Sequence, residues 1–103
     1  MTNIESIKTK KFFYKMGVLC GDFLYHSYKF EDFETMAEEA KYISNNYKDM
    51  QCCTFVIQAF RDNSYDFKKS CFYQTELFVY DIEKKLDSIA EAILRDCEEG
   101  GEG

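Results

Sequence analysis

Few residues in this sequence could do chemistry: a single histidine, His26, and five cysteines, Cys20, Cys52, Cys53, Cys71 and Cys97. A cysteine beside a histidine would make a thiolate–imidazolium pair, the nucleophile of acyl transfer. The spacing argues against one. Gly21-Asp22 reads as a two-residue hairpin loop, in which residue i pairs with residue 43 − i. Cys20 then shares a face with Phe23, Tyr25 and Ser27, while His26 points to the other face beside Gly17. Cys52 and Cys53 are strand neighbours and also point apart. There is no C-x-x-C pair, and one histidine cannot complete a four-donor zinc site. An odd number of thiols predicts free cysteines in a reducing compartment.

Other chemistries fail on geometry. No glycine-rich phosphate cradle occurs, and the acidic residues lie on helical segments rather than around the central glycine of a calcium loop. Glu38 and Glu39 splay about 100° apart on a helix, too far to share a proton. Lys10, Lys11 and Lys15 beside Phe12, Phe13 and Tyr14 form a basic, aromatic cluster, but it stands alone in a chain of net charge −6. The sequence therefore predicts no catalytic residue, no metal, no cofactor and no direct contact with nucleic acid.

What stands out is the stretch FEDFETMAEE, residues 30–39, which holds five carboxylates and two phenylalanines. Rotating about 100° per residue from Phe33, the stripe of Phe33, Met36, Ala37, Ala40, Ile43 and Tyr47 occupies one side of a helix. Glu31, Asp32, Glu34, Glu38 and Glu39 fall on the other side, with Tyr42 at its centre. Only Lys41 and Lys48 offset them. By segment the formal charge is +3 over residues 1–30, −4 over 31–50, 0 over 51–80 and −5 over 81–103.

The elements around this helix follow from pattern. At 103 residues, 46 % hydrophobic and 17 % aromatic, with no proline, the chain suits one domain. Residues 1–10 read as a polar lead with room for one helical turn. Lys11–Leu19 and Phe23–Phe30 are β-prone runs joined by Gly21-Asp22. The acidic helix follows, capped by Asp32 and stopped at Asn45-Asn46. Met50–Phe60 and Cys71–Tyr80 read as further strands, with Tyr65–Ser70 open between loop and strand. A second helix, capped by Asp81, carries the stripe Ile82, Leu86, Ile89, Ala90, Ile93, Leu94 and Cys97, with Glu91 and Arg95 as an i,i+4 pair. The prediction is an α+β, two-layer fold of order β-β-α-β-β-α: a four-stranded antiparallel sheet with two helices on one face. The domain spans residues 11–98 and a frayed acidic tail spans 99–103.

These features predict a small acidic, non-enzymatic protein-binding module. Glu31, Glu34, Glu38, Glu39 and Tyr42 would face a protein partner with a basic surface. Basic surfaces commonly hold nucleic acid, so the expected effect is inhibition of a nucleic-acid-processing protein. Size and charge match phage or mobile-element antagonists of host defence, of the anti-CRISPR kind. The alternative is a homodimer packed through the open face of the sheet, made apolar by Phe and Tyr of both hairpins. With no apolar run long enough for a membrane span, a cytoplasmic location is expected. The docking reading requires Glu38 and Tyr42 to point outward and both helices to lie on one side of the sheet.

Overall fold

The computed structural model describes residues 3–21, 23–46 and 53–100. Its elements run α1 (Asn3–Ile7), β1 (Phe13–Cys20), β2 (Phe23–Phe30), α2 (Phe33–Asn46), β3 (Cys53–Phe60), β4 (Cys71–Phe78) and α3 (Ile82–Gly100), with a 3-10 turn, Val79–Asp81, leading into α3. The four strands form one antiparallel sheet in the order β2-β1-β3-β4, so the two hairpins lie side by side through the β1–β3 pairing. This is the predicted α+β architecture with one more short helix. Asn45 and Asn46, predicted to stop the acidic helix, are still helical; Asp22, Tyr47, the start of the third predicted strand at Met50–Cys52 and the tail from Gly101 lie outside the described residues. Gly100, predicted to fray, ends α3 as helix.

Alternation sorts each strand into two faces. Tyr14, Met16 and Val18 of β1 and Cys53, Phe55, Ile57 and Ala59 of β3 are buried beneath the helices. Phe33, Met36, Ala37, Ala40 and Ile43 of α2 meet them, as do Ile82, Leu86, Ile89, Ala90 and Ile93 of α3, in one continuous core. Among the described residues both predicted stripes face the core, with Leu94 and Cys97 only partly buried, and both helices cover the same face of the sheet. The predicted polar lead also contributes: Ile7 is buried and Ile4 packs against the core. Asn3 donates to Asp87 Oδ2 (3.0 Å) and Glu91 Oε2 (3.3 Å) on α3. Glu91 thus accepts from Asn3, and Arg95, its predicted partner, reaches Asp96 at 3.8 Å.

The hairpin register corrects the sequence reading at one point. Leu19 faces Leu24 and Cys20 faces Phe23, as a two-residue loop requires. A bulge then advances β2, so that His26 faces Val18, Tyr28 faces Met16 and Phe30 faces Tyr14. Without that extra residue Tyr28 would turn to the bare side opposite Lys15; with it, Tyr28 and Phe30 pack against the core. His26 therefore shares the helix-side face with Cys20 and does not lie beside Gly17.

Tyr65–Ser70 is a loop. Asp66 accepts from Lys68 N through Oδ1 (2.9 Å) and from Ser70 N through its carbonyl (2.9 Å), which closes a turn. Tyr65 adopts a left-handed φ of 52° and folds back over the end of the bare face. Its ring packs on Phe60 (5.4 Å) and Phe13 (6.2 Å), its hydroxyl donates to the Phe30 carbonyl (3.1 Å), and Lys29 Nζ lies 5.0 Å from the ring centre. Burial, with the charge of Glu31 second, raises its phenol above the usual tyrosine value. Tyr65→Ala should uncover Phe60 and lower stability by about 2 kcal/mol in urea denaturation, with no strain relieved because alanine keeps its Cβ at the left-handed φ.

Candidate functional site

The acidic face is built by α2. Asp32 caps it as predicted, accepting from Thr35 N at 2.7 Å. Behind the helix Phe33 meets the Tyr14 ring edge-on at 5.6 Å, and this contact fixes which side of the helix turns outward. Glu34 and Glu38 are exposed, Glu39 is half-buried, and Tyr42 is 63 % exposed. Spacings of three and four residues set Glu38, Glu39 and Tyr42 side by side. Glu31 is also exposed but precedes the helix, close enough to Tyr65 for its charge to act there. The predicted group thus divides into a helical set of four and an outlying Glu31.

A pairing across the fold modifies the site. Lys8, which follows α1, lies 3.5 Å from Glu34, so one carboxylate is partly offset by the lead. Such an exposed pair contributes well under about 1 kcal/mol, but it shifts the centre of negative charge toward Glu38 and Glu39. No pattern in the sequence joins Lys8 to Glu34. The acid does not continue evenly onto α3, where exposed Glu83, Asp87 and Glu91 are interspersed with Lys84, Lys85 and Arg95. Lys84 in turn reaches Asp81 at 3.1 Å.

The bare face of the sheet has a different composition from that predicted. Tyr14, Tyr28 and Tyr73 turn toward the helices. One row crosses all four strands as Leu24, Leu19, Thr54 and Phe78, and the next polar row reads Lys29, Lys15, Gln58 and Gln74. Between them Gly17 leaves a shallow hollow of about 230 Å³. An added Cβ at Gly17 would sit 3.0 Å from Leu24 Cδ1. The bare face is therefore only partly apolar.

Of the other residues singled out for chemistry, His26 is exposed and joins Cys20 on the helix-side face. Phe12 and Tyr14 are buried, so the basic cluster at Lys10–Lys15 offers no stacking platform through them. Cys53 is buried, and burial raises the Cys71 thiol above its usual value and so weakens it as a nucleophile. Arg61 holds the end of α3 through Cys97, at 3.6 Å from Sγ and 3.5 Å from the carbonyl, and covers the Phe72 ring at 4.6 Å. Among the described residues no three His, Cys, Asp or Glu side chains gather as a metal site, and no helix is long and apolar enough to cross a membrane.

No protein-family model, curated protein or solved structure matches this chain.

Proposed function

We propose that this chain is a non-enzymatic protein-binding module that docks the outward face of α2 on a basic surface of a nucleic-acid-processing protein and inhibits it by occupying the nucleic-acid site. The observation that carries this reading is Tyr42, a large aromatic 63 % exposed beside Glu38 and Glu39. An exposed tyrosine supplies contact area at small entropic cost, and neighbouring carboxylates steer a cationic partner and set its association rate. By analogy of size and charge, the targets include host nuclease defences and the bearer is a phage or mobile element; this part rests on analogy alone.

The test is titration against a panel of nucleases, RNA-guided ones included. Changing Glu34, Glu38 and Glu39 together to Gln should weaken binding about tenfold or more, chiefly by slower association, and flatten its salt dependence. Tyr42→Ala should instead speed dissociation. Unaltered affinity and salt dependence in the triple variant would overturn the reading.

A further inference from the structure

The outer edge of β4 is a row of backbone groups that no described strand pairs with, because the order β2-β1-β3-β4 places it last. Proteins usually blunt such an edge with proline, lysine or a bulge. β4 has neither proline nor lysine, and its one irregularity lies at its start, leaving Tyr73–Phe78 in unbroken register. The opposite edge strand, β2, is interrupted by its bulge and carries Lys29.

Side chains along the β4 edge are equally open. A hollow of about 210 Å³ lies on the helix side, between Tyr73, Thr75, Leu77 and Ile89. Another of about 230 Å³ lies by Phe67 and Phe72. Phe67 is 59 % exposed near the start of the strand, and Phe78 (46 %) and Tyr80 (49 %) stack on each other at its end.

We propose that a second copy of this chain adds its own β4 antiparallel to this edge, about a two-fold axis at Thr75, so that the two sheets become one. The order of side chains in the strand selects both the occupant and the register. With the axis at Thr75, Thr75 meets Thr75, Tyr73 meets Leu77, and Gln74 meets Glu76 of the other copy, all within the regular stretch of the strand. Threonine pairs and aromatic–aliphatic pairs are favourable cross-strand neighbours. Gln74 already accepts from Gln58 Nε2 through its carbonyl oxygen at 3.0 Å, so its amide N–H groups can donate to the Glu76 carboxylate. Moving the axis to Glu76 sets two carboxylates face to face, and moving it to Gln74 sets Glu76 against the irregular start of the strand. Thr75 is the register of these three that gives the charge a donor. The contact is isologous, as a closed dimer requires.

Sedimentation equilibrium decides it, with circular dichroism confirming that each variant folds. The wild-type chain should reach dimer mass at or below about millimolar concentration. Thr75→Lys and Thr75→Glu each set like charges across the axis and should weaken the dimer about tenfold or more, while their equimolar mixture recovers it. A strict monomer up to that concentration overturns the proposal. So does an association unchanged in both variants, or a mixture that fails to recover what the single variants lost. Loss of the dimer in Leu24→Glu with retention in Thr75→Lys would move the contact to the bare face and overturn the edge.

Discussion

Phe33→Ala is expected to lower the unfolding free energy by about 4 kcal/mol, within the range of truncating a buried aromatic. Phe33 is 2 % exposed and is the first residue of α2, directly after its cap. Its ring lies against Tyr14, which is fully buried, so the backbone there has little freedom to collapse into the space left. For a domain whose total stability is on the order of 5–15 kcal/mol, such a loss is severe. It also bears on function, because Phe33 anchors the helix that presents Glu38 and Tyr42. A urea titration measures the loss through a lower midpoint at constant m-value. A cost under about 1 kcal/mol would show that α2 is held mainly by its later residues.

Alkaline pH should destabilise the protein through Tyr14, and Tyr14→Phe should remove much of that sensitivity. The Tyr14 side chain is fully buried, and its hydroxyl oxygen finds no hydrogen-bond partner among the described residues. Burial, then the charges of Asp32 and Cys97, hold its phenol far above the usual tyrosine value. The sign follows directly. Below about pH 10 the phenol is neutral in both states and the shift contributes fully; above it the unfolded chain releases the proton while the folded chain retains it. Stability then falls by about 1.4 kcal/mol per pH unit from this group alone. Tyr73, whose phenol burial also raises, adds to the fall. Urea denaturation at stepped pH should give a flatter profile for Tyr14→Phe above about pH 10. At neutral pH the same variant should match or exceed the wild type by about 1 kcal/mol, since it removes a buried hydroxyl without a partner. A clear loss of stability at neutral pH would mean that the hydroxyl is bonded after all.

The features legible in the sequence are those set by neighbours along the chain. The stripe of α2 and its Asp32 cap are local, because helical periodicity and capping involve residues within a few positions of one another. Tyr42 and Glu38 face water for the same reason: once Phe33, Met36 and Ile43 are inside, the opposite side has nowhere else to point. A largely apolar run likewise identified β3, and alternation β4, as strands, and the antiparallel α+β class followed from the order of elements.

Contacts between distant segments were decided only by the fold. The β2 bulge exists because burying Tyr28 and Phe30 outweighs a regular register, and that balance depends on the core beneath them. Asp81, predicted to open the second helix as Asp32 opens the first, instead ends a 3-10 turn and pairs with Lys84 at 3.1 Å. Lys8 reaches Glu34, and Tyr65 reaches Phe13 and the Phe30 carbonyl, only because the fold has brought together residues far apart in the chain. The position of β4 at the border of the sheet is likewise a matter of strand order. A β-prone segment has the same alternation whether one neighbour or two will pair with it, and only assembly of the sheet determines which backbone groups remain open.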